Sequence, residues 1–111
     1  MTVDTRQMEP GIAVVTISGR LVLGRELDQL TAAVQNLLHH GQKKIVFDIF
    51  GLDYLDSAGI GTLVSCVSQI RKSGGTLRLA GANARVQKLF DMARVGDILS
   101  VYPTVAEAAA G

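Results

Sequence analysis

Cysteine, proline and aromatic residues are scarce in this sequence, and tryptophan is missing. The lone cysteine, Cys66, excludes a disulfide within the chain and suits a reducing compartment. Aromatics are only 5% of residues, so a core must be built from Val, Ile, Leu and Ala. The net charge is +1, which removes any electrostatic case for nucleic acid or a membrane surface. No apolar run approaches the roughly 20 residues of a membrane span, so no membrane insertion is expected. The segment Met1 to Arg6 lacks the apolar stretch of a signal peptide, and a cytoplasmic location is expected. What is present is ordinary: 48% hydrophobic and 19% charged residues in 111, the composition of one globular domain spanning 1–111.

Periodicity lays out the elements. Residues 2–8 form a weak strand candidate, Glu9-Pro10-Gly11 a turn, and Ile12 to Ser18 a β-branched strand, together an antiparallel hairpin ended by Gly19. Arg20 to Gly24 reads as a connection whose Leu21, Val22 and Leu23 tuck against the domain. A helix follows from about Arg25 to His40, with Leu27, Leu30, Val34, Leu37 and Leu38 on one face. Ile45 to Ile49 is a strand covered on both faces, since apolar residues run consecutively. Phe50 to Leu55 reads as a loop. A second helix runs from Ser57 to Ser73, its stripe being Ile60, Leu63, Val64, Val67 and Ile70. Residues 76–80 form a strand. Asn83 caps a third helix, from Ala84 to about Arg94, that carries Val86, Leu89, Phe90 and Ala93 inward and is stopped by Gly96. Residues 98–101 are an edge-strand candidate, and Thr104 with Glu107 marks a short last helix from Val105 to about Ala110. Strands alternating with helices imply an α/β fold. The expected architecture is a mixed sheet of four to five strands, an N-terminal antiparallel hairpin followed by parallel neighbours, with four helices packed on it.

The centre of the pattern is Leu55-Asp56-Ser57-Ala58-Gly59-Ile60-Gly61. Asp and Ser here are helix-start residues, because their oxygens accept N–H groups left free in the first turn. Gly59 and Gly61 each cost about 1 kcal/mol in a helix relative to alanine. Either close packing on a neighbouring strand or close approach of another molecule must offset that cost.

Enzyme motifs are absent. No Gly-Lys-Ser or Gly-Lys-Thr follows a glycine-rich loop, position 64 is Val where a dinucleotide fingerprint needs Gly, and Gly-x-Ser-x-Gly does not occur. His39 and His40 end a helix on different faces, where neither serves Ser57 as a base nor shares a metal. Asp48, Asp53 and Asp56 read as turn and cap residues before they read as a Mg²⁺ cluster. Cys66 falls between core positions and reads as a small buried hydrophobe. No catalytic residue, cofactor or metal is expected. Ser57 remains, either as a plain helix-start serine or as a modification site. A phosphate there would add about −1.5 to −2 charge among free N–H donors. The fold would tolerate it, and a docked partner would meet added bulk and repulsion near Asp56.

Taken together, Ile45-Val46-Phe47-Asp48, the Leu55 to Gly61 run, Gly74-Gly75, Val86 to Met92 and the Ala-rich end resemble the signature of STAS domains, in particular bacterial anti-sigma factor antagonists. The resemblance covers about residues 10–108. It implies a switch protein and not an enzyme. The unmodified antagonist binds an anti-sigma factor that is a serine kinase, phosphorylation of Ser57 releases it, and a serine phosphatase resets it. The implied contact surface is Asp56, Ser57, Ala58, Gly59 and Ile60, flanked by Asp53 and Tyr54. The family's Gly-Glu-Leu-Asp run is here Gly19-Arg20-Leu21-Val22, so Arg20 and Val22 stand at acidic positions, and Arg20 becomes a candidate phosphate-pairing cation. The alternative is an adaptor or scaffold subunit of a transporter or stressosome-like assembly in which Ser57 is never modified. An exposed hairpin edge permits a monomer or a weak dimer.

Overall fold

The computed structural model describes residues 2–9 and 11–111. Pro10, and with it the centre of the expected Glu9-Pro10-Gly11 turn, lies outside the described residues. Ten elements follow in chain order: β1 (Thr2–Glu9), β2 (Ile12–Leu21), α1 (Arg25–His39), β3 (Lys44–Asp48), β4 (Leu52–Leu55), α2 (Ser57–Lys72), β5 (Thr76–Ala80), α3 (Ala84–Ala93), β6 (Val101–Tyr102) and α4 (Val105–Ala110). The sheet order is β1-β2-β3-β5-β6, with β4 paired to β2 off this path. Among the described residues only β1–β2 is antiparallel; every other pair is parallel.

The mixed α/β fold is the expected one, with six strands in place of four or five. Two local readings change. Strand β2 does not end at Gly19. It leaves β3 after Thr16 and pairs with β4 from Gly19 to Leu21. Gly19 stands where the register shifts, at φ 88°, and its N–H donates to the Gly51 carbonyl at 2.8 Å. Glycine adopts that backbone without a Cβ clash, so the chain bulges and continues. The second change is β4 itself, since Leu52–Leu55 is a strand and not a loop. Leu52 and Leu55 are buried, while Asp53 is exposed. Four residues give too short a pattern to separate from a loop until β2 supplies the partner.

Side chains alternate between two cores. Ala13, Val15 and Ile17 of β2, Ile45 and Phe47 of β3, and Leu77 and Leu79 of β5 face α1, α2 and α3. Val14, Val46 and Ala80 face the other way, onto Ala108 and Ala109 of α4. β3 is therefore covered on both faces, as its unbroken apolar run requires. Small residues let α4 lie close to the sheet. Arg78 holds its end, donating to the carbonyls of Ala108, at 3.2 Å, and of Gly111.

α3 ends where expected, at about Arg94, but by a different device. Asn83 caps its start, accepting the Val86 N–H at 2.8 Å. Its end is not set by Gly96 but by Arg94, the one non-glycine residue at positive φ among the described residues (φ 58°, ψ 42°). The Val95 N–H turns back to the Phe90 carbonyl and the Arg94 N–H to that of Asp91. This is the usual left-handed helix stop, with arginine in the place glycine prefers. A side chain there costs about 1–2 kcal/mol. Ala93, expected inward, is exposed.

Candidate functional site

The C-terminal ends of β2 and β4 meet the start of α2, and this corner holds the central motif. Leu21 pairs with Leu55 and Arg20 with Tyr54. Asp56 follows with extended backbone and caps α2. One carboxylate oxygen, Oδ1, accepts the Gly59 N–H at 2.8 Å. The other, Oδ2, accepts the Leu23 N–H at 2.9 Å. The Asp56 N–H donates to the Leu21 carbonyl at 3.3 Å. Asp56 thus ties the connection after β2 to the head of α2. The Leu23 N–H, and next the Gly59 N–H, hold its pKa below the ordinary carboxylate value, because both favour the charged form.

With Asp56 as the cap, the Ser57 hydroxyl is free of that duty. Ser57 is the first residue of α2 and is exposed. An anion on its oxygen would sit at the positive end of the helix dipole.

The glycines of the motif divide between the two explanations. Gly59 is buried, and a Cβ on it would lie 2.0 Å from the Leu21 carbonyl oxygen. Its role is close packing of α2 on β2, and it is no part of an exposed contact surface. Gly61 is exposed, and a Cβ on it would meet nothing within 4 Å. Nothing inside the chain accounts for a glycine there. Its effect is to keep the helix surface low one turn beyond Ser57.

Beside Ser57 runs an open groove of about 830 Å³ between α2 and the end of α3. Tyr54, Asp56, Ser57, Ile60, Gly61 and Val64 line one side, and Leu89, Met92, Arg94 and Ile98 the other. Ile60 and Val64, expected in the buried stripe, are only half-buried; Cys66 joins Leu63, Val67 and Ile70 inside. Met92 is 70% exposed, an unusual state for so apolar a side chain on a helix. The side-chain period of α3 places Leu89 and Ala93 inward and assigns Met92 to no face, so it does not reveal the α3 side of the groove. Arg20 is exposed and stacks over the Tyr54 ring, its guanidinium carbon 4.9 Å from the centroid. Tyr54 places Arg20 at the edge of this corner. Asp53 is exposed and does not line the groove. Leu23, expected to tuck in, is 79% exposed, while Leu21 is buried and Val22 half-buried.

Other candidates fall elsewhere. His39 and His40 are exposed at the end of α1, at the opposite end of the sheet from Ser57, and His40 Nδ1 lies 2.8 Å from the Asn36 carbonyl. Asp48 accepts the Phe50 N–H at 3.2 Å, a turn contact. Among the described residues no group of three or more His, Cys, Asp or Glu could hold a metal ion. Burial pushes the Cys66 thiol up to about 11. Among the described residues no helix is long and apolar enough to cross a membrane.

The family model described as STAS domain matches residues 5–108. Bordetella bronchiseptica BtrV, whose name assigns it provisionally as an anti-sigma factor antagonist, is 28% identical over 93 residues, 84% of this chain and 77% of BtrV. The anti-sigma-B factor antagonist of Bacillus subtilis is 34% identical over 50 residues, 45% of this chain and 46% of that protein. Among solved structures, the anti-sigma factor antagonist SpoIIAA in its unphosphorylated form superposes with a TM-score of 0.79 at 19% identity, covering 96% of this chain and 92% of that one. SpoIIAA in its phosphorylated form gives 0.73 at 18% identity, with 96% of each chain covered. A sulfate transporter family protein from Wolinella succinogenes gives 0.81 at 18%, covering 95% of this chain and 87% of that one, so the fold by itself does not separate the two kinds of protein.

Proposed function

The chain belongs to the STAS domain family, and we propose that it is an anti-sigma factor antagonist switched by phosphorylation of Ser57. In its unmodified form it binds an anti-sigma factor that is also a serine kinase. The kinase moves the γ-phosphoryl group of ATP onto Ser57 Oγ, which loses its proton, and ADP leaves. The phosphorylated protein lets go, and a serine phosphatase restores the hydroxyl. The chain is the substrate of this cycle and not its catalyst.

One observation carries the reading: Ser57 is exposed at the first position of α2, with the capping work done by Asp56. With the cap supplied by Asp56, capping does not account for Ser57. The added dianion would be tolerated by the helix and repelled by acidic groups of a docked partner. Tyr54, Asp56, Ser57, Ala58 and Ile60 form the contact patch, with Gly61 allowing close approach and Arg20 at the edge. The names of BtrV and of the B. subtilis relative support the antagonist role. That SpoIIAA has been solved with and without phosphate supports the switch.

The test mixes the purified protein with ATP and the anti-sigma factor kinase found beside it in its genome or recovered with it. Phosphate should map to Ser57 by mass spectrometry. Ser57→Ala should bind the kinase and accept no phosphate, and Ser57→Asp should bind at least 10-fold more weakly, about 1.4 kcal/mol. An active kinase that leaves Ser57 unmodified would overturn the switch. Co-recovery with a transporter permease, and no kinase, would favour the adaptor role.

A further inference from the structure

The groove beside Ser57 is apolar along its floor and carries one cation. Among the described residues that line it, Arg94 is the only basic side chain and Asp56 the only carboxylate. Asp56 is committed to the Leu23 and Gly59 N–H groups. Arg94 is exposed and stands in a left-handed backbone conformation that glycine fills without strain. Gly96, with open space around it, lies two residues further on, so the chain does not lack glycine in this turn. A folding argument alone prefers glycine at 94. The arginine there puts a charged fork at the end of a groove whose other side holds Ser57.

We propose that Arg94 is a specificity-determining residue for the partner, and that the groove between α2 and α3 receives a segment of the anti-sigma factor kinase bearing apolar side chains and a carboxylate. The inference rests on the reading given under Proposed function. The apolar side chains meet Ile60, Val64, Leu89 and the exposed Met92. The carboxylate meets the Arg94 guanidinium, whose planar donors match it. Charge complementarity selects this occupant: one end of the groove presents the Arg94 cation, and the one lining carboxylate, Asp56, stands on the opposite side held by two N–H groups, so an acidic group fits beside Arg94 better than a basic one. A cation at the end of α3 also suits the helix dipole, which is the role a purely structural residue would have. The two roles differ in what a substitution changes.

The experiment compares wild type with Arg94→Gly, Arg94→Lys and Arg94→Glu, all unphosphorylated. It measures thermal midpoint and affinity for the purified anti-sigma factor kinase at low and moderate salt. Arg94→Gly should raise the midpoint, by relieving the left-handed side chain, yet weaken binding about 10-fold and flatten its salt dependence. Arg94→Lys should retain part of the affinity, and Arg94→Glu should lose more than Arg94→Gly. Wild-type binding with all three variants equally tight would overturn this inference and leave the proposed function standing. Absence of kinase binding by wild type would overturn both. A concentration-dependent dimer weakened by the same substitutions, with kinase binding unchanged, would assign the groove to a second copy and overturn the inference.

Discussion

At the residue scale, Asp56 does more than start a helix. Its carboxylate is shared between the N–H of Gly59, three residues on, and that of Leu23, which lies in a different segment. Both bonds favour the ionised form, so the folded pKa lies below the unfolded one. The sign follows: the stabilisation is fully present above the unfolded carboxylate pKa and is lost as pH falls through the lower, folded value. Asp56→Ala should therefore destabilise the protein at about pH 7, and the difference from wild type should shrink towards about pH 3. Urea midpoints at the two pH values measure it. A difference that stays constant with pH would show that the charge contributes nothing. The same substitution should free the connection at Leu23, so hydrogen exchange at that amide should rise. Ser57 is legible as helix-initial from its neighbours alone, whereas its exposure is seen only in the structure. That the cap belongs to Asp56 depends on which oxygen reaches which N–H, and only coordinates decide that.

At the scale of elements, α2 is positioned by a contact that has no side chain on one partner. The Leu21 carbonyl approaches the Gly59 Cα so closely that a methyl group there would sit 2.0 Å from the oxygen. Gly59→Ala should displace the head of α2 and cost about 2–3 kcal/mol, the upper range for overpacking. Gly61→Ala meets nothing and should stabilise the helix by about 1 kcal/mol. It should nonetheless weaken kinase binding, because it raises the surface beside Ser57. Thermal melts and affinity measurements on the two variants separate the roles. A Gly61→Ala variant with unchanged affinity would remove the close-approach explanation. Both glycines cost the same in helix propensity, so the sequence shows that two costs exist and not how each is offset. The neighbouring strand that explains Gly59 is nearly forty residues earlier in the chain.

For the whole molecule, the sheet needs cover on both faces, and α4 supplies it on the second. Val14, Val46 and Ala80 are buried beneath Ala108 and Ala109. Arg78 crosses from the sheet to the end of α4 and lies over the Tyr102 ring, 5.7 Å from the centroid. Its guanidinium meets carbonyls at the negative end of the helix. Arg78→Ala should cost about 1–2 kcal/mol, in line with loss of a charge-assisted hydrogen bond. The loss should appear first as faster amide exchange in α4, with α1 to α3 unchanged. Uniform loss of protection across the molecule would show instead that α4 unfolds only with the rest. Because the Ser57 corner lies where β2, β4, α2 and α3 meet, a phosphate there can alter a docking face without entering either core.

Legible in the amino-acid order were the hairpin, the alternation of strands and helices, the two-sided cover of β3, the caps at Asn83 and Thr104, and a serine at a helix start. All of these are local: they follow from side-chain period and from hydrogen bonds spanning a few residues. Tertiary structure alone decided that β2 bulges past Gly19 to pair with β4, that Gly59 serves packing while Gly61 is open, and that α2 and α3 leave a groove between them ending at Arg94. Each of those joins segments far apart in the chain. A periodic pattern states that a side chain must find apolar company or a donor must find an acceptor, and it carries no information on which distant segment provides either.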